Sequence, residues 1–269
     1  MDMLSIACEL KPKFARMGAR LDVVRGGGSV DVRRDRGRER FVLAVDDDAV
    51  DRILVRDIRP RERHLLLEMR VLAPDPKLAR DSRWRRFLCG HDEREWFAAS
   101  IPERRPVSNV DAAFEALKPF AVRSAQASLG VAAAKRNRRR NEAFVRQGEW
   151  FFLPRPNQAI DPTLVLRDEP LVRGSGKAHL VDECVRLGGT LVYVDSRGRI
   201  RSEAERAVWV RQGGVAAAAW RPMRRDPRVF VRGRVRHPDH ATIVLEGWHE
   251  VFSNTEHRSL ARSNLVFLD

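Results

Sequence analysis

Leu65-Leu66-Leu67-Glu68-Met69-Arg70-Val71 is the stretch that decides how the first part of this chain is expected to fold. Between Leu21 and Pro102 five similar short apolar runs accompany it: Val23-Val24, Phe41 to Val45, Ile53 to Val55, Phe87 to Cys89 and Trp96 to Ala99. Charged or glycine-rich turns separate the runs, a pattern that is typical of strands. Residues 1–105 are therefore predicted to form a β-rich meander module.

The next segment, residues 106–147, is predicted to be helical and basic. Ser108-Asn109-Val110-Asp111 has a capping-box pattern that begins a helix, and Pro119 ends that helix. A second helix is expected from Ala121 to Arg146, with Gly130 as its weak point. Its apolar residues recur at helical spacing: Val122, Ala125, Leu129, Ala132 and Ala133.

Residues 148–269 are predicted to form an α+β module. Trp150 to Leu153 and Thr190 to Val194 read as strands, and Lys177 to Leu187 reads as an amphipathic helix. Two further capping boxes pair Ser202 with Glu205 and Ser253 with Glu256, and a hairpin turns at His237-Pro238-Asp239-His240. The expected fold class is therefore α+β: a β-rich N-terminal half, a basic helical segment and a mixed C-terminal half.

The charge balance predicts a polyanionic partner. The 269 residues carry 51 Lys and Arg against 37 Asp and Glu, a formal net charge of +14. Such a protein attracts nucleic acid, whether DNA or RNA, or an acidic protein. GC-rich codon usage explains the excess of arginine over lysine equally well, but not the excess of bases over acids.

Membrane and secretory functions are not indicated. The start of the chain lacks the apolar run of a signal peptide, and no stretch approaches 18 uncharged apolar residues. Cys8, Cys89 and Cys184 are far apart and form no CxxC motif, so neither a disulfide framework nor a cysteine zinc site is expected. A cytoplasmic protein with no membrane partner is predicted.

The first candidate binding site is the run Lys135-Arg136-Asn137-Arg138-Arg139-Arg140. On a helix, Lys135, Arg138 and Arg139 would project from one side, and Arg136 and Arg140 would form a neighbouring pair. Arginine binds phosphate through charge-assisted, often bidentate hydrogen bonds, so this run is predicted to contact a nucleic-acid backbone. The alternative is a solvated helix face whose cations pair with acids elsewhere in the fold.

The second candidate is the loop Arg173-Gly174-Ser175-Gly176-Lys177. Glycines let backbone N–H groups approach an oxyanion, and Arg173 and Lys177 add full positive charges at the start of the helix expected there, so a phosphate-binding loop is predicted. It is not a Walker A motif, because Leu171 replaces the first glycine and no Ser or Thr follows Lys177. The alternative is a tight turn.

Histidines near the C-terminus form the third candidate. His237 and His240 flank a turn and His249 follows on the next strand, so a hairpin could gather imidazoles into a zinc or manganese site. No cofactor is predicted beyond such a divalent metal, and a plain structural hairpin is the alternative. His91 and Asp92 offer a further imidazole and carboxylate, although the tip of a hairpin is the simpler interpretation of that turn.

Three functions stay open at this point. The chain is interpreted first as a nucleic-acid-binding protein that contacts phosphates through the basic helix and the glycine-rich loop. One alternative is a metal-dependent phosphodiesterase or nuclease that uses the C-terminal histidines. The other is a basic protein–protein interaction module. Whether the protein is an enzyme is left undecided, and no catalytic residue is assigned.

Overall fold

The fold is β-rich. A computed structural model describes residues 3–46, 50–72, 83–102, 106–173, 177–213, 219–256 and, for the backbone, 265–267. Of these residues 50% lie in strands and 21% in helices. The predicted α+β class with a basic helical segment is therefore wrong.

Five α-helices lie within the described residues, and most are short: α1 (Met3–Arg16), α2 (Val110–Leu117), α3 (Phe120–Ser128), α4 (Ala133–Arg136) and α5 (Glu203–Arg211). Pro162–Leu164 forms a 3₁₀ helix. The strands are β1 (Leu21–Arg25), β2 (Ser29–Asp35), β3 (Arg38–Val45), β4 (Val50–Arg59), β5 (His64–Val71), β6 (Arg83–Asp92), β7 (Glu95–Ile101), β8 (Val145–Gln147), β9 (Trp150–Pro154), β10 (Leu166–Leu171), β11 (His179–Leu187), β12 (Thr190–Val194), β13 (Ile200–Arg201), β14 (Arg221–Arg225), β15 (Arg228–His237), β16 (His240–Ser253) and β17 (Leu265–Phe267).

The strands form four sheets, ordered β1-β3-β2, β4-β5-β6-β7, β10-β11-β15-β16-β9-β8 and β13-β12-β14-β17. The chain divides into two compact units. The first unit comprises Met1–Phe151 and Ser253–Arg258, and the second comprises Phe152–Phe252 and Ser259–Asp269. No helix in the described part of the chain is both long enough and apolar enough to cross a membrane.

In the first unit, the apolar run in β5 is buried on both faces. Leu65, Leu67 and Met69 belong to a core that also contains the apolar residues of α1. Leu66 points to the opposite face and joins a second core with the apolar residues of α2. Side chains alternate between the two faces of a strand, so a nearly continuous apolar run suits a strand that has a hydrophobic core on each face of its sheet. The strands expected between Leu21 and Pro102 are present.

The long basic helix expected from Ala121 to Arg146 does not form. The helix α3 ends at Ser128, and Gly130 follows in the left-handed conformation with a φ of +60°. Only the four residues of α4 are helical beyond it, and an isolated bridge then pairs Arg140 with Val145. Glycine in this conformation ends a helix, so the helical spacing of apolar residues across Gly130 does not correspond to one continuous helix.

In the second unit, the helix predicted from Lys177 to Leu187 is the strand β11 instead. This strand pairs antiparallel with β10 on one side and β15 on the other. A short apolar pattern fits a helix and a buried strand equally well, and here pairing on both sides settles the conformation. The capping box at Ser202 and Glu205 is confirmed at the start of α5. The one at Ser253 is wrong, because Ser253 ends β16 and no helix begins between Asn254 and Glu256.

Candidate metal centre

Three histidines of the second unit come together at one end of a sheet. The β11–β15 register pairs Val181 with Val235 and Leu180 with Arg236, so His179 and His237 lie opposite one another one step further along. The hairpin turn between β15 and β16 pairs His237 with His240. Three neighbouring strands therefore each contribute one imidazole at the same level of the sheet.

The three rings lie nearly parallel to one another. The centroid of His237 is 4.1 Å from that of His179 and 4.7 Å from that of His240, and the outer pair is 5.6 Å apart. Each ring offers one nitrogen to a group in which all three nitrogens lie within 4.8 Å of one another. It is the one such group of potential metal ligands among the residues that the structure describes.

Burial keeps His179 in the form that binds metals. Its side chain is almost fully buried, and burial, with the neighbouring charges of His237 and His240, lowers its pKa from 6.5 to about 3. His179 is therefore neutral at physiological pH. Neutral imidazole carries the nitrogen lone pair that a metal ion requires, so no proton has to leave this residue before an ion binds.

The turn between His237 and His240 supplies a carboxylate and a cation. The backbone N–H of Asp239 donates to Nδ1 of His237 at 3.2 Å and so helps to orient this ring. The Asp239 carboxylate lies 3.9 Å from the same Nδ1 and forms an ion pair with Lys177. Lys177 is half exposed, and it places an ammonium group beside the histidines.

The donor set fits a transition metal better than magnesium or calcium. Imidazole nitrogen suits zinc and its neighbours, whereas magnesium, calcium and manganese favour oxygen ligands. Zinc binds imidazole nitrogen at about 2.0–2.1 Å, so two ligands of one tetrahedral ion lie roughly 3.3 Å apart. In the structure the rings are stacked and their nitrogens lie within 4.8 Å of one another, so one ion is bound only after the rings turn until these nitrogens face a common point. Three protein ligands would leave the fourth position for water or substrate, as in catalytic zinc sites.

The structure groups only two of the three histidines that were expected at this site. It brings His237 and His240 together, and it adds His179, which no sequence motif indicated. His249 lies nine residues beyond His240 on β16, about 30 Å along a regular strand. It is buried there, with Nδ1 3.0 Å from the Gly247 carbonyl oxygen. Only an alternating pattern across residues 179–187 could have indicated His179.

The predicted basic run is not a continuous cationic face. Lys135 forms an ion pair with Glu142 at 2.6 Å, and Arg136 donates from Nε to the carbonyl oxygen of Val131 at 3.1 Å. Arg139 pairs with Asp92 and Glu93. Arg138 and Arg140 are exposed. Because α4 ends at Arg136, the helical geometry that would place three of these cations on one side is absent.

The structure also shows the surroundings of several residues in the two other predicted clusters, the loop 173–177 and the pair His91 and Asp92. In the loop expected to bind phosphate, Gly174, Ser175 and Gly176 lie outside the described residues, whereas Arg173 is half-buried and Lys177 pairs with Asp239. His91 packs edge-on against Trp96 at 4.9 Å between centroids. The carboxylate of Asp92 is bound by Arg139 and Arg146. Thus the structure gives His91 and Asp92 structural partners.

Comparison with known proteins gives no match for this chain: no protein family, no curated protein and no solved structure is similar to it.

Proposed function

We propose that this protein is a metal-dependent phosphodiesterase whose zinc-type ion is held by His179, His237 and His240. The observation that carries the proposal is the convergence of the three imidazoles to within 4.8 Å, with the Lys177 ammonium group bound to the hairpin between two of them. The histidines supply ligands for the ion. Lys177 supplies a positive charge where an anionic substrate would meet it.

When bound, such an ion supplies Lewis-acid chemistry: it polarises a phosphoryl oxygen and makes water more acidic. In the overall reaction water adds to phosphorus and one P–O ester bond breaks, which gives a phosphomonoester and an alcohol. The residues of this chain hold the ion and the substrate. His179 and His237, whose side chains are almost fully buried, fix the inner side of the site, and the Asp239–Lys177 pair holds the ammonium group beside the hairpin between His237 and His240.

Lys177 links two motifs that the sequence presents separately. It ends the loop predicted to bind phosphate, and Asp239 lies in the histidine hairpin. Their ion pair brings the cation of the loop to the candidate metal ligands. Lys177 is half exposed, so its ammonium group can contact a phosphate ester while it remains paired with Asp239. The high net positive charge acts in the same direction, since it raises the local concentration of polyanions.

The experiment that tests the proposal begins with metal content. Elemental analysis of protein purified without chelators, or after reconstitution with zinc, should give one ion per chain, and cobalt substitution should give the visible spectrum of a tetrahedral site. His240→Ala should abolish both signals. His249→Ala is the matched control, because it removes a buried histidine of the same sheet outside the cluster.

Hydrolysis is measured on the same samples. The metal-loaded protein should cleave bis(p-nitrophenyl) phosphate or a labelled oligonucleotide, and His240→Ala should not. If the protein binds one metal ion per chain but cleaves neither substrate, the metal site is supported and the phosphodiesterase activity is refuted. If the folded protein binds neither zinc, cobalt nor nickel, both the metal site and the phosphodiesterase activity are refuted. Nucleic-acid binding through residues 135–140, an acidic protein partner and a cytoplasmic location stay predictions.

A further inference from the structure

A second cluster in the second unit combines aromatic rings with arginines. Tyr193 of β12 and Arg201 of β13 are paired across the two strands, so their side chains lie on one face of the sheet. The helix α5 contributes Arg206 and Trp209, which are three residues apart and therefore neighbours on the helix surface. All four side chains are partly exposed.

Each of these arginines stacks on a ring from the other element. The guanidinium carbon of Arg206 lies 4.1 Å from the centroid of Tyr193, and that of Arg201 lies 4.2 Å from the centroid of Trp209. Arg199 approaches Trp209 at 5.3 Å. Such cation–π contacts hold the planar guanidinium groups in fixed orientations. The sheet and the helix thus interleave cations and aromatic rings.

The acids of this region neutralise only part of its positive charge. Residues 190–225 contain eight arginines and three acids. Of the acids, Asp195 pairs with Arg199 at 2.6 Å and Glu205 accepts from Ser202 at the start of α5. Within the described residues, no carboxylate forms an ion pair with Arg201 or Arg206, and the Nε atoms of both are buried without a hydrogen-bond partner. A guanidinium group that is fixed but has no carboxylate partner is suited to binding an external anion.

We infer that Tyr193, Arg201, Arg206 and Trp209 form a binding surface for single-stranded nucleic acid. Unpaired bases stack on aromatic rings and on guanidinium planes, and phosphates bind the N–H groups of arginine. A duplex keeps the faces of its bases inside the helix. Its phosphates can therefore bind the arginines of this surface, but its bases cannot stack on the aromatic rings or the guanidinium planes. This surface is independent of the histidine cluster and involves none of its residues.

Binding is measured by fluorescence anisotropy with a 15-nucleotide oligo(U) or oligo(dT) probe, in EDTA so that any metal site is empty. The test variant is Arg201→Lys with Arg206→Lys, because lysine keeps the charge but lacks the plane and the bidentate edge. The control is Arg25→Lys with Arg33→Lys, two exposed arginines of the first unit. We expect the test variant to raise the Kd about tenfold or more, because stacking contributes about 1–3 kcal/mol per base. The control should stay within about twofold of wild type.

The inference is overturned if the two variants bind alike, if a duplex of the same length binds as tightly as the single strand, or if heparin competes as well as oligo(U). Photocrosslinking of a 4-thiouridine oligonucleotide to the unaltered protein gives an answer that does not depend on how any variant folds. Crosslinks are expected in residues 190–211, and crosslinks confined to other segments would overturn it. His240→Ala should bind the probe like wild type, so the phosphodiesterase proposal can fail without this one.

Discussion

The imidazole of His179 stacks on that of His237 at 4.1 Å between centroids, although the two residues come from β11 and β15. The contact follows from strand register, since Val181 and Val235 are paired just before it on the same face of the sheet. His179 is therefore buried by the same alternation that buries Val181. One position thus combines the environment of a core residue with an imidazole side chain, which the proposed metal site uses as a ligand.

Replacing His179 with phenylalanine separates those two roles. Phenylalanine can fill the buried space and stack on His237, but it has no nitrogen to coordinate an ion. We expect His179→Phe to unfold with a midpoint in urea close to that of the metal-free wild type, and to bind no zinc in calorimetry. Wild-type zinc affinity in this variant would show that His179 is not a ligand.

Acid should destabilise the first unit through His64. Burial is the main cause that lowers the pKa of His64 from 6.5 to about 4. Between these values the unfolded chain takes up a proton that the folded chain does not, so stability present above pH 6.5 declines as the pH falls towards 4. Because the ring is partly exposed, we expect a loss of about 2–3 kcal/mol. Urea unfolding at pH 7 and pH 4.5 measures it, and His64→Leu should reduce the difference.

Gly90 on β6 has no room for a side chain. A Cβ atom there would lie 2.4 Å from Cδ2 of His64 and 2.8 Å from Cε1 of Phe97. Both neighbours are packed rings, so we expect Gly90→Ala to lower the free energy of unfolding by about 1–3 kcal/mol. Gly27→Ala is the control, because a Cβ there would meet nothing within 4 Å. Equal melting temperatures for the two variants would contradict the packing described here.

Glu68 should be the most sensitive carboxylate of the β4–β7 sheet. Its side chain is 3% exposed, accepts from Nε of Arg86 at 2.8 Å and also contacts Arg56. Glu68→Gln removes the carboxylate that both arginines contact, and we expect a loss of about 2–3 kcal/mol because Arg56 is half exposed. Glu62→Gln at an exposed pair should cost less than about 1 kcal/mol. Chemical denaturation compares the two directly.

Arg139 and Arg138 should behave differently although they are adjacent. Arg139 binds Asp92 and Glu93, whose side chains are mostly buried, whereas Arg138 is exposed. We expect Arg139→Ala to cost about 1 kcal/mol of stability and Arg138→Ala to stay within about 0.5 kcal/mol of wild type. Thermal melts at low and high salt measure both effects. A stability loss confined to Arg138→Ala would mean that the pairing is assigned to the wrong residue.

Local chemistry allowed several elements to be predicted from the sequence alone. The apolar runs between Leu21 and Pro102 form strands, Ser202 caps α5, and residues 237–240 turn a hairpin. The capping-box pattern at Ser108 and Asp111 marks the start of α2, although the residue that caps this helix is Asn109. Each of these depends on residues close together in the chain: turn residues, capping side chains and runs of one polarity. The hairpin is also why His237 and His240 could be paired before the fold was known.

Tertiary structure alone decided that His179 joins the candidate site, and it decided which partners the cations of residues 135–140 contact. His179 joins the hairpin because β11 pairs with β15, and a strand ladder connects residues whose separation in the chain carries no information about their contact. The pattern from Lys177 to Leu187 fits a helix and a strand, and pairing with two neighbours decided between them. In the same way, Arg139 meets Asp92 only through the fold of the first unit, because 47 positions separate the two residues in the chain.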